Sequence, residues 1–336
     1  QKLHFVREIE LVGRWRAHPE PEAPASKSAE EPDLGSGTRA HLLDYGASLT
    51  QNEIMDVPEV HDLGIFGVGV TVGVFDNGFR LLTHQSFDSM NIIAQYDFVD
   101  HKVSVVPYAP THGGHGVNTL STVGGYRSGE LIGPAFRAHY ILARTENDSS
   151  ETPVEEDNWA AAIEWADSIG VDVTTTSLSY LDYDPGYTSW TPLDMDGNTT
   201  LITRAADHAV SLGIVVLNSA SNNGAGSGMN TLGAPADGDS VITVGAVGSN
   251  GVRASFSSVG PTTDVPPRIK PDVMAMGVSV RVASSTDTLA YTTSSGTSFS
   301  CPLSAGVAAL ILSANPTLGP LQMRDALRNT ADNAAS

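Results

Sequence analysis

The sequence predicts an α/β fold organised on a mostly parallel, doubly wound sheet. Three observations predict it: short, continuously apolar segments that read as strands buried on both faces, longer segments with helical spacing between them, and polar residues placed repeatedly where an apolar strand ends. The chain has 336 residues, 40% of them hydrophobic. That is enough for a sizeable core in one large domain or two ordinary ones.

Residues 1–41 stand apart. Residues 3–16 could form a strand, but 17–37 are rich in Pro, Glu, Ala and Ser and read as an extended or disordered linker. The expected division is an N-terminal extension over 1–41 and one domain over 42–336. The first buried strand is 69–75, which ends at Asp76, Asn77 and Gly78. A second, 138–143, is followed by an acidic loop and an amphipathic helix over 157–166. A third strand is read at 171–178, a helix over 200–212 stopped by Gly213, and a strand at 214–217. Strands are also read at 240–246 and 278–283. After Gly296, Ser and Thr are capping candidates and Pro302 suits a first helical turn. Residues 305–312 are apolar or tiny on every side, which in a soluble protein marks a buried helix. A last helix covers 322–328, and no internal repeat is apparent.

Charge and cysteine content exclude some classes. A net charge of −20 repels phosphates, so neither nucleic acid nor an anionic membrane surface is an expected partner. No apolar run is read as long enough to span a bilayer. Cys301 is the only cysteine, so no internal disulfide can form and the redox compartment stays open. Its place in a buried helix start favours inert packing. The chain begins at Gln1 without a basic, apolar leader, as a processed product would.

Four polar groups sit where a doubly wound sheet gathers chemistry, at strand ends and helix starts. Asp76 follows a buried strand directly; an ordinary turn aspartate is the local alternative. His112 and His115 lie in a glycine-rich segment before a run of small residues. A metal would need further ligands, and no Cys or acidic cluster lies nearby, so a general base is the better use. Asn222 lies just past a strand, where an amide can donate to a developing oxyanion, although a plain loop asparagine reads equally well. Ser298 lies where a tight loop feeds the buried helix, either as a capping residue or as a nucleophile beside outward-pointing N–H groups. Together, Asp, His, Asn and Ser are the equipment of nucleophilic acyl transfer.

Several blocks in order carry a resemblance to the subtilisin-like serine proteases, the subtilases, from about Tyr45 to Asn329. Val70-Thr-Val-Gly-Val-Phe-Asp-Asn-Gly78 resembles the block with the family's aspartate, and Gly296-Thr-Ser-Phe-Ser-Cys-Pro302 resembles its nucleophile signature. Residues 163–166, Ser177 with Leu178, 254–258 and 270–272 fall where the family has counterparts. The resemblance implies a three-layer α/β/α sandwich and a serine endopeptidase with Asp76, His115 and Ser298 as triad and Asn222 as oxyanion donor. The histidine block departs most from the pattern. Aligning on His115 keeps the small and apolar positions of the following helix, and aligning on His112 does not. Ser221 stands where the family often has glycine.

The resemblance also implies how substrate is held. Ser177, Leu178 and Ser179 resemble one wall of the primary pocket, Ser219, Ala220 and Ser221 the opposite wall, and Gly233 a floor whose missing side chain leaves room. No charge lies there, so a bulky apolar or aromatic residue before the scissile bond is expected. The acidic loop 146–157 reads as a solvated surface, with a salt-sensitive preference for basic residues upstream as the sharper reading. No cofactor is needed for catalysis. The family's strong calcium site is expected to be absent, since its loop is short here (125–130) and Ser86 replaces a carboxylate. Asp194, Asp196 and Asn198 are weaker candidates for a structural calcium, against a polar turn. The implied partners are protein or peptide substrates and the chain's own propeptide as inhibitor, of which 1–41 would be a remnant or linker. A monomer that is secreted or held at the cell envelope is expected, as is a family C-terminal strand pair lost beyond Ser336. The rival reading is a catalytically silent subtilase-like protein that binds extended peptides.

Overall fold

The computed structural model describes residues 41–226 and 229–332. The proposed strand over 3–16, and with it nearly all of the N-terminal extension, lies outside the described residues.

The strands, in chain order, are β1 (Thr71–Asp76), β2 (Asn91–Asp97), β3 (Tyr126–Arg127), β4 (Leu131–Ile132), β5 (His139–Arg144), β6 (Val173–Thr176), β7 (Val215–Ser219), β8 (Ile242–Val247), β9 (Val273–Met276), β10 (Val280–Ala283) and β11 (Tyr291–Ser294). The helices are α1 (Leu49–Glu53), α2 (Val57–Asp62), α3 (Gly114–Gly124), α4 (Val154–Ile169), α5 (Leu201–Ser211), α6 (Thr297–Ala314) and α7 (Pro320–Thr330). Seven strands form one sheet in the order β2-β5-β1-β6-β7-β8-β9, every neighbour parallel.

Strand alternation explains the layers. In β1, Val72 and Val74 face one core, with α3, α6 and Met323 of α7, while Phe75 faces the other, with α4 and α5. Tyr140 and Leu142 divide from Ile141 and Ala143 in the same way along β5. Helices on both faces make the three-layer α/β/α sandwich expected from the resemblance. Two of the three β6 hydroxyls are satisfied internally: Trp159 Nε1 donates to Thr176 Oγ1 at 3.0 Å, and Thr175 Oγ1 meets Cys301 Sγ at 3.4 Å, while the buried Thr174 Oγ1 has no partner.

Three readings need correction. The segment 278–283 does not join the main sheet; β10 pairs antiparallel with β11 in a separate hairpin. The edge strands β2 and β9 escaped notice because each is half exposed and lacks a continuous apolar run. Pro302 is not in the first turn of α6 but is its sixth residue. Proline there removes the N–H that Ser298 C=O would accept, and Ser177 Oγ supplies the missing donor at 2.8 Å. The 18-residue α6 is also long and apolar enough to cross a membrane, which the sequence reading denied of any segment. In this fold 78% of it is buried inside the protein.

Candidate active site

Asp76 is the last residue of β1, and its side chain is fully inaccessible. Its Oδ1 accepts from Asn77 N at 2.8 Å and pairs with His115 Nδ1 at 2.7 Å, while Oδ2 accepts from Thr119 Oγ1 at 2.8 Å. An ionised carboxylate only accepts, so Nδ1 must carry the hydrogen and Nε2 presents its lone pair. Thr119 lies one helical turn after His115 on α3, so one face of the helix brings both to the same carboxylate.

The start of α3 is tied to the end of β1 by short polar side chains. Asn77 Oδ1 accepts from Gly116 N at 3.1 Å, and Asp148 accepts from Gly113 N at 2.6 Å and from the Asn77 amide. Contact between the two elements is close: a Cβ on residue 116 would lie 2.2 Å from the Gly78 carbonyl oxygen. Only glycine fits there. His112 lines the same cleft but does not reach Asp76, its Nδ1 lying 3.9 Å from Asp148 and its Nε2 3.2 Å from Ser149 Oγ.

Ser298 is the second residue of α6, in the first turn where N–H groups have no intrahelical acceptor. Its Oγ lies 3.4 Å from Ser177 O, too long for a strong hydrogen bond. Asn222 Oδ1 accepts from Thr297 N at 2.9 Å and Thr297 Oγ1 at 3.1 Å, which turns Nδ2 the other way. A Cβ on Gly296 would sit 3.6 Å from Asn222 Nδ2 and 3.7 Å from Ser298 N. The two donors therefore lie within 4 Å of one point beside Gly296. A cleft of about 560 Å³ contains His115, Ser298 and Asn222, with Ser177, Leu178 and Ser179 along one side and Glu146 and Glu151 on another.

The expected substrate residues divide. Ser219 and Ala220 are buried at the end of β7, behind the cleft rather than on it. Ser221 holds a positive φ of 89°, and its Oγ meets Ser179 Oγ at 2.7 Å. The room expected over Gly233 is taken. A Cβ there would lie 2.9 Å from Ser179 Cβ and 3.2 Å from Ser221 Oγ. A side chain on residue 233 would therefore meet these two serines.

Asn77, Thr119 and Asp148 were not singled out from the sequence. Only Thr119 had a readable signal, its spacing of four from His115. Asp148 comes from a distant loop and could not be paired from sequence. The calcium candidates do not fit a cation. Asp194 Oδ2 accepts from Thr191 N and Oγ1, both at 2.7 Å. Asp196 spends both oxygens on Asn198 N, Thr199 N and Thr199 Oγ1, each at 2.8 Å. They make turns. Ser86 likewise bonds Tyr291 OH at 3.0 Å.

Known proteins resemble this chain over most of its length. The model of the Subtilase family, Peptidase_S8, matches residues 67–336. Subtilisin DY of Bacillus licheniformis is 34% identical over 295 residues, which is 88% of this chain and 93% of the relative. A subtilisin of Bacillus pumilus is 34% identical over 293 residues, covering 87% and 92%. The crystal structure of a cold adapted subtilisin-like serine proteinase superposes with a TM-score of 0.60 at 27% identity, covering 78% of this chain and 81% of that one.

Proposed function

The chain belongs to the subtilase family and is a subtilisin-like serine endopeptidase acting on proteins or peptides, and on that premise we propose that it cleaves through an acyl-enzyme on Ser298. Ser298 Oγ attacks the scissile carbonyl carbon while its proton passes to His115 Nε2. The carbonyl oxygen, now carrying the charge, is received by Asn222 Nδ2 and Ser298 N–H. The C–N bond then breaks as the imidazolium returns its proton to the leaving amine, and water repeats the sequence to release the acid. Asp76 holds the tautomer and offsets the imidazolium charge. The observation that carries this reading is His115 held on the buried Asp76 carboxylate in the same cleft as Ser298 and Asn222. Preorganised oxyanion donors contribute about 10²–10³-fold each in rate.

All steps use side chains and backbone of this chain, so catalysis asks for no cofactor. Glu146 and Glu151 on the cleft wall support a secondary preference for basic residues upstream of the scissile bond. Secretion or placement at the cell envelope, a monomeric state and inhibition by a propeptide ending within 1–41 complete the proposal. The high negative charge is compatible with a soluble, dispersed protein. A fluorophosphonate probe tests the core of it: a stoichiometric adduct on Ser298 with loss of casein cleavage is expected. Folded protein that forms no adduct would be the silent peptide binder instead.

A further inference from the structure

Ser179 and Ser221 come from opposite sides of the expected primary pocket, one after β6 and the other after β7. Their hydroxyls meet at 2.7 Å directly above Gly233. Both contacts at residue 233 are tight: 2.9 Å to Ser179 Cβ and 3.2 Å to Ser221 Oγ from the place a Cβ would take. A side chain at 233 would therefore collide with both serines. Ser221 is 6% exposed, and neither it nor Gly233 lines the open cleft, whereas Ser179 does.

A second observation is independent of that contact. Ser221 is one of four described non-glycine residues at positive φ. Such a residue costs roughly 1–3 kcal/mol and persists where its surroundings impose it, often at a ligand clamp. Glycine would relieve that strain and remove the hydroxyl. Here a side chain is held in a strained position where it closes a space.

Resting on the protease reading above, we infer that the Ser179–Ser221 bridge closes the primary pocket and restricts the residue before the scissile bond to glycine, alanine or serine. A larger side chain would have to break the hydroxyl pair and displace both side chains from a site packed against Gly233. A hydroxyl-lined shelf accepts a methyl or hydroxymethyl group above it. The uncharged lining expected from the sequence remains, but its depth does not.

The test is a peptide series differing only in that residue (Gly, Ala, Ser, Leu, Phe), assayed with the native protein, with Ser221→Gly, and with Ser179→Gly/Ser221→Gly. Fluorophosphonate titration of Ser298 normalises the active fraction of each. Pockets that admit or exclude a methylene discriminate by about 10–200-fold. The native protein is expected to favour Ala over Phe in kcat/KM by at least about tenfold within that range. The double variant is expected to shift the Phe/Ala ratio toward Phe by a similar factor, with Ser221→Gly intermediate. If the double variant does not fold, Ser221→Gly, which relieves backbone strain, must still shift the ratio. Native cleavage after Phe or Leu as fast as after Ala overturns the inference and leaves the protease reading intact. An unchanged ratio in the titrated variants overturns the assignment to this pair, and an adduct without cleavage of any peptide overturns the small-residue preference. Absence of both cleavage and adduct overturns the protease reading itself.

Discussion

Replacing Asp76 by asparagine separates two roles that a catalytic carboxylate can play. Oδ1 faces two groups that donate, Asn77 N and His115 Nδ1, while Oδ2 faces Thr119 Oγ1, which also contacts Gly116 O at 3.2 Å. An amide oxygen at the Oδ1 position satisfies both donors. Its NH₂ then points at Thr119, whose hydroxyl can accept and donate onward to Gly116 O. The reverse orientation sets NH₂ against the Asn77 N–H. Asp76→Asn should therefore keep the productive imidazole tautomer and lose only the charge. Two unit charges with centres roughly 4 Å apart interact by about 4 kcal/mol at an effective dielectric near 20. The His115 side chain is 31% exposed, and solvent lowers this to about 3 kcal/mol, or roughly 10²-fold in kcat. A triad held in the wrong tautomer loses about 10⁴-fold. The assay is single-turnover acylation of a chromogenic peptide by titrated enzyme. A loss below tenfold, or one near 10⁴-fold, would refute the reasoning.

Ser177→Ala should cost about 1–2 kcal/mol by orphaning the buried Ser298 carbonyl. Pro302→Ala restores an N–H in α6, so the double variant should recover part of that loss, and strict additivity in denaturant melts would sink the idea. Burial, reinforced by Glu151, pushes the Glu155 carboxyl up to about 9 from 4.5. A raised acid favours the folded state below its unfolded pKa, and that advantage drains away as pH climbs from about 4.5 to 9. Glu155→Gln should flatten this loss in Tm, measured on a Ser298→Ala background to prevent autolysis, and parallel Tm curves would contradict it. Burial also pushes the Cys301 thiol up to about 12, so iodoacetamide should leave native protein unmodified at pH 8 and label it only on unfolding.

Much of the fold was readable because buried parallel strands write themselves as continuous apolar runs. The strands read at 69–75, 138–143 and 240–246 match β1, β5 and β8 to within a few residues. Half-exposed strands carry no such run, so β2 and β9 were invisible, and β10 was assigned to the wrong sheet because pairing partners leave no mark on either strand. At the site, Asp76, Asn222 and Ser298 each follow a strand or open a helix, a placement that singled them out only in combination. The histidine needed a choice between two neighbours that sequence spacing barely distinguishes. Folding brings His115 to Asp76 and His112 to Asp148.

By itself the sequence indicated a doubly wound sheet, the central buried helix, the acidity and a set of residues that could run acyl transfer, with the histidine open between His112 and His115. Each of these is a local property: periodicity, a terminal glycine, a polar residue at an element's end. Only the tertiary structure decided which groups touch. Ser177 completes a hydrogen bond that Pro302, 125 positions away, leaves open, because the turn after β6 passes under the first turn of α6. Ser179 and Ser221 meet over Gly233 because parallel neighbours β6 and β7 release their loops at the same edge of the sheet. The family resemblance implied an open pocket over Gly233. Space belongs to the neighbours of a residue, and those neighbours are chosen by the fold.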